Sequence, residues 1–182
     1  MKKLATKFTI TTVAAMILAP AMLLAGADVR TPANGLEKRV RHELVMLPYY
    51  GMFDNLEFQV DPAGHVTLLG HVTRPTLKSD AERVVRRVEG VTSVSNRIEV
   101  LPPSPFDDRI RRAVAHAIFN FASLSRYSWG PIPPIHIIVD SGHVTLEGKV
   151  DNQTDKNLAG MRANGVSGVF SVTNNLVVDG RG

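Results

Sequence analysis

Apolar and polar residues alternate along this chain with two periods, and the order of the periods repeats. Leu36, Val40, Leu44 and Leu47 recur at helical spacing, which predicts a helix with one buried stripe. Leu56, Phe58 and Val60 then alternate with Glu57 and Gln59, the period of a half-buried strand. Asp61-Pro62-Ala63-Gly64 reads as a tight turn, and Val66, Leu68 and Gly70 share one face of a second strand, so the pair predicts a hairpin. Leu77, Ala81, Val84, Val85 and Val88 form the stripe of a second helix, and Val94, Ile98 and Val100 a last strand. The same order then recurs. Ile110, Val114, Ala117, Ile118 and Phe121 mark a helix, and Ile135, Ile137 and Val139 a strand. Asp140-Ser141-Gly142 is the turn, Val144, Leu146 and Gly148 the next strand, and Val172, Leu176 and Val178 the last. The second helix of this copy, around Asp155 to Val166, is weaker. It holds Gly160, Asn164 and Gly165, and each glycine lowers helix stability by about 1 kcal/mol relative to alanine. Asn34 and Asp107 are expected to cap the first helices, and Gly90 and Gly168 to end the second ones.

The recurrence is a duplication. Gly64-His65-Val66-Thr67-Leu68-Leu69-Gly70-His71-Val72 returns as Gly142-His143-Val144-Thr145-Leu146-Glu147-Gly148-Lys149-Val150, seven of nine positions identical. Gly90-Val91-Thr92-Ser93-Val94-Ser95-Asn96 returns as Gly168-Val169-Phe170-Ser171-Val172-Thr173-Asn174 at the same offset of 78 residues. The expected fold class is therefore α+β: two tandem α-β-β-α-β units, each a small three-stranded sheet with two helices on one face. The units are expected at 34–102 and 106–179, with a proline linker at 103–105 and a tail at 180–182. Gly64, Gly70, Gly90, Gly142, Gly148 and Gly168 are read as scaffold positions: turns, close backbone approaches and helix ends.

Charge changes the picture less than it first suggests. The chain of 182 residues carries a formal +4, yet Lys2, Lys3 and Lys7 precede an apolar run from Phe8 to Leu24 and the small-residue box Ala25-Gly26-Ala27. This predicts a signal peptide over 1–27, a short segment at 28–33, and a periplasmic or secreted protein, membrane-anchored only if the signal is retained. Cleavage would leave 18 Lys and Arg against 17 Asp and Glu, so bulk attraction to nucleic acid is not expected. The chain has no cysteine, which excludes disulfides, thiol nucleophiles and a lipid-modified cysteine. The six histidines show no metal-binding spacing, and no catalytic motif is present, so no metal, cofactor or catalytic residue is expected.

The pattern helix, then V-x-x-x-G-x-V-T-L-x-G-x-V, then helix, then G-V-x-x-V-x-N, present twice, resembles BON domains, named for bacterial osmotically inducible and nodulation proteins. The resemblance implies an exported, non-catalytic protein of the cell envelope, linked to osmotic stress and phospholipid binding. An envelope protein bound at a sheet edge or open sheet face is the alternative partner. The residues themselves offer two candidate contact regions. One is the pair of aromatic loops: Tyr49, Tyr50, Met52 and Phe53 in copy one, and Arg126, Tyr127, Trp129 and Ile132 in copy two. The other is the apolar helix from Ala113 to Leu124, with Phe119, preceded by Arg109, Arg111 and Arg112, which suit anionic headgroups.

Overall fold

The computed structural model of the protein describes residues 33–179. The expected signal peptide, the segment to residue 32, the tail at 180–182 and the Asn34 side chain lie outside the described residues. Repeat one runs α1 (Ala33–Val45), β1 (Asn55–Val60), β2 (His65–Val72), α2 (Pro75–Val85), β3 (Ser93–Asn96) and β4 (Glu99–Val100). Repeat two runs α3 (Pro105–Phe119), a 3-10 turn (Ser125–Ser128), β5 (Ile135–Asp140), β6 (His143–Val150), α4 (Gln153–Asn164), β7 (Ser171–Asn174) and β8 (Val177–Val178). The fold class is the tandem α+β arrangement that the repeat predicts.

In each sheet the hairpin's second strand is central. β1 pairs β2 antiparallel, while β3 and β4 both pair β2 in parallel. β5, β6, β7 and β8 repeat this. A parallel partner needs a crossover, and α2 and α4 supply it. The two cores follow the predicted stripes. Val40, Leu44, Val66, Leu68, Leu77, Ala81 and Ile98 fill the first; Val114, Ile118, Ile137, Val144, Leu146, Ala159 and Leu176 fill the second. Full burial of such a side chain stabilises by roughly 1.5–3 kcal/mol.

The last strand of each repeat is interrupted, and the interruption explains the asparagine of G-V-x-x-V-x-N. Asn96 accepts from the Ile98 N–H through Oδ1 (3.2 Å) and donates through Nδ2 to the Lys78 carbonyl (2.9 Å). Asn174 does the same with Leu176 (3.3 Å) and Lys156 (2.7 Å). Each asparagine pins the broken strand to the helix over it and turns Ile98 or Leu176 into the core. Gly160 now has a packing reason: a Cβ there would lie 2.8 Å from Asn174 Nδ2. The weak helix propensity of α4 thus reflects a close approach that a larger residue would block.

Several local expectations are corrected. α3 is capped by Ser104, which accepts from the Asp107 N–H (3.2 Å), with Pro105 in the first turn. Asp107 is instead buried and reaches across to accept from Gly142 N–H (2.8 Å) and Ser141 N–H (3.1 Å), so it fixes the β5–β6 turn. α4 begins two residues earlier than expected, capped by Asn152. Gly90 and Gly168 do not end helices: α2 stops at Val85 and α4 at Asn164, and the glycines take φ of 93° and 90° in the turns that follow. The linker is short in effect, because Leu101 is buried and donates to the Val72 carbonyl (2.8 Å) while Ser104 already belongs to the α3 cap.

Candidate functional site

Three features were candidates for function, and they separate in space. The first is the Arg126–Tyr127 loop. Tyr127 is buried, and its hydroxyl accepts from the Asp151 N–H (2.8 Å) and donates to Asp155 Oδ2 (2.6 Å). Arg126 pairs with Asp151 (3.0 Å) and with buried Asp155, and lies over the Tyr127 ring (4.7 Å). Both expected contacts are therefore engaged in tying the loop to the start of α4. Burial pushes the Tyr127 phenol up to about 12, with the Asp151 amide opposing and the Asp155 carboxylate assisting. Tyr50 is also pushed up to about 12 by burial, opposed by the Leu56 amide. Raised phenol pKa values stabilise the fold fully below about pH 10, and that contribution is lost as pH climbs through 12. Alkaline titration of phenolate absorbance is expected to show two of the three tyrosines ionising near pH 12, together with unfolding.

The second feature is the seam between the repeats. All of β5 except Asp140 is buried, although Ile138 and His136 lie on the face whose repeat-one counterparts, Gln59 and Glu57, are exposed. Repeat one meets β5 with the loop after α1. Tyr50 stacks on His136 (5.6 Å between centroids, 21° between planes), Met52 and Phe53 pack against the second core, and Met52 accepts from the Ile137 N–H (2.7 Å). Buried Asp54 shapes the loop, accepting from Thr73 N–H (2.7 Å), Thr73 Oγ1 (2.9 Å) and Gly51 N–H (3.3 Å). Burial holds the His136 imidazole below its ordinary pKa, against the backbone groups of Asp54 and Gly51 and the Asp54 carboxylate. Tyr50, Met52 and Phe53 are thus half-buried seam residues, while Tyr49 projects into solvent with Arg74 over its ring (4.7 Å). Beside the seam lies a cleft of about 510 Å³, walled by α1, β1, Pro133, Pro134 and the end of β6, with Ile132 half-buried in it.

The third feature is the outer face of α3. The apolar excess of the Ala113 to Leu124 stretch turns inward, since α3 ends at Phe119, and Phe119 and Leu124 are buried in the second core. Arg111 is buried too, donating to the Val139 carbonyl (2.6 Å) and to Asp108 (2.6 Å). These residues cannot meet a headgroup. Phe106, Arg109 and Arg112 follow one another at three-residue spacing on the opposite, exposed side. Arg109 lies over the Phe106 ring (5.7 Å), and Phe106 packs on Phe170 (6.2 Å). Phe170 is 70% exposed and leans on His143 (5.9 Å). Neither Arg109 nor Arg112 has a carboxylate partner among the described residues, because Asp108 is held by Arg111. Sequence reading missed Phe106 and Phe170. The signal was in the repeat: Phe170 stands where repeat one has Thr92, whose hydroxyl bonds back to the Ala63 carbonyl (3.0 Å). Trp129 is also exposed (81%), on the loop before β5.

Among the described residues no group of three or more metal-ligating side chains comes together, and no helix is long and apolar enough to cross a membrane. What the fold defines is a duplicated α-β-β-α-β module. The family model described as "BON domain" matches it twice, over residues 33–102 and 107–180, and the chain belongs to that family. BON domains are generally non-catalytic binding modules, often of the periplasm or envelope. No curated protein matches the chain. Among solved structures it is similar to the C-terminal domain of CdsD, described as the structural protein of the type III secretion system of Chlamydia trachomatis. Identity is 14%, covering 79% of this chain and 96% of that one, with a TM-score of 0.31. A second CdsD structure gives the same identity and score and covers 92% of that chain.

Proposed function

We propose that this is an exported protein of the bacterial envelope, active under osmotic or envelope stress, that binds the phospholipid surface without catalysing a reaction. The observation that carries the reading is the outer face of α3. An exposed phenylalanine pair sits beside two arginines with no internal carboxylate partner, the combination of apolar contact and positive charge that an anionic interface attracts. Aromatic rings favour the headgroup boundary. Burial sets Arg111, Phe119 and Tyr127 aside, and the reading takes Arg109 and Arg112, joined by Phe106 and Phe170, ahead of the exposed Tyr49 and Trp129.

Such a face binds reversibly, since two weak signals add without inserting a helix. Co-sedimentation with vesicles tests it. The protein is expected to pellet with vesicles rich in phosphatidylglycerol, to stay in solution with pure phosphatidylcholine, and to be released by about 0.5 M salt, where screening shortens the reach of surface charge. Absence from both pellets at low salt would reject a membrane role.

A further inference from the structure

The outer strand of repeat two carries a backbone donor that repeat one closes, and repeat one carries the same donor open. Ile137 stands opposite Leu146 in β6, and Phe58 stands opposite Leu68 in β2, so the two are equivalent positions. The Ile137 N–H points away from β6 and meets the Met52 carbonyl at 2.7 Å. In β1 the Asp61 N–H bonds to the His65 carbonyl (3.0 Å), and antiparallel alternation from that pair turns the N–H groups of Leu56, Phe58 and Val60 away from β2. The hydroxyl of Tyr50 meets that of Leu56. Those of Phe58 and Val60 have no acceptor among the described residues.

This open edge borders the 510 Å³ cleft and continues the seam. Val45 and Val177, which line the cleft, are 41% and 59% exposed and give it apolar surface. Arg41 and Lys149 are matched there by Glu57 and Glu147, so the cleft has no net charge and suits an uncharged, apolar occupant. An unpaired edge beside an apolar cleft is a template for strand addition.

We propose that the free edge of β1 captures an extended, apolar segment of a partner protein. A carbonyl of that segment accepts from the Phe58 N–H, as Met52 does from Ile137, and its alternate side chains enter the cleft. The capture is independent of the membrane face on α3.

The probe is a blocked pentapeptide with the sequence of this chain's own residues 49–53, Tyr-Tyr-Gly-Met-Phe, uncharged and drawn from the segment that the equivalent edge already accepts. Amide hydrogen exchange in the full chain, read by NMR, reports the site. The expected result is exchange slowed about tenfold or more at Phe58 and Val60 with saturating peptide. Val60→Pro, which deletes one outward donor on an edge strand that tolerates proline, weakens the effect, and so does Val177→Lys, which charges the cleft and leaves the edge intact. Unchanged exchange at Phe58 and Val60 overturns the proposal. So does protection confined to Ile137, which means the probe displaced the chain's own loop. Protection that appears without peptide and grows with protein concentration assigns the edge to a second copy instead.

Discussion

Gly148→Ala is expected to destabilise the protein by about 3–5 kcal/mol, far more than a typical point substitution. A Cβ at this position would lie 2.0 Å from the Pro134 carbonyl oxygen, and the residue holds φ at +113°. The clash is with backbone, so no side chain can swing away, and the same carbonyl accepts from the Lys149 N–H (3.0 Å). Moving the strands apart to admit the methyl group breaks that bond and opens the entry to β5, which is also where repeat one docks. A left-handed φ adds about 1–2 kcal/mol for any residue with a Cβ. Gly70→Ala is expected to do the same to repeat one, where the Cβ would meet the Asn55 carbonyl oxygen at 2.2 Å. Gly51→Ala, with no atom within 4 Å of its Cβ, is the control and is expected to change stability by less than about 0.5 kcal/mol. Urea unfolding curves check all three. A loss under about 1 kcal/mol for Gly148→Ala would contradict the close strand contact.

Replacing both Arg109 and Arg112 by glutamine is expected to weaken partition onto anionic vesicles by roughly thirty-fold. Each basic side chain near an anionic surface contributes about 1 kcal/mol, and two together approach 2 kcal/mol. Stability should hardly move, because both side chains are exposed and neither has a carboxylate partner within the described residues. Arg111→Gln is the informative contrast. It removes the donors to Val139 and Asp108 from a buried site, so it should lower stability without selectively lowering partition. Vesicle titrations at one fixed salt concentration, run beside thermal melts, separate the two effects. Equal partition of the double variant and the parent would remove the arginines from the account.

The repeat and both cores were legible because hydrophobic period and the 78-residue offset report directly on which side chains face inward. Contacts between elements distant in sequence were not. Arg126 and Tyr127 are 24 to 29 residues from Asp151 and Asp155, and no local pattern announces such a pairing. Asp107 looked like a helix cap because it sits near a helix start, yet its carboxylate serves a turn 34 residues away. The seam did leave a trace: Ile138 and His136 occupy the face where repeat one has Gln59 and Glu57, and that apolar shift marks a covered surface. Ile135, Ile137 and Val139, the residues that carry the strand period, lie only on its core side. The apolar helix read as a membrane face has the opposite lesson. Its excess residues satisfy their own core, and the exposed aromatic surface lies on the other side, where Phe106 packs on Phe170.

The most direct test of the membrane account is the emission of a single tryptophan at each candidate contact during titration with phosphatidylglycerol vesicles. Native Trp129, already the chain's one tryptophan, reports the loop before β5. Phe170→Trp in a Trp129→Phe background reports the α3 face. The account predicts a blue shift for the Phe170→Trp protein that parallels its co-sedimentation. A blue shift from native Trp129 with none from Phe170→Trp would contradict it, placing the bilayer at the aromatic loop and leaving the outer face of α3 in water.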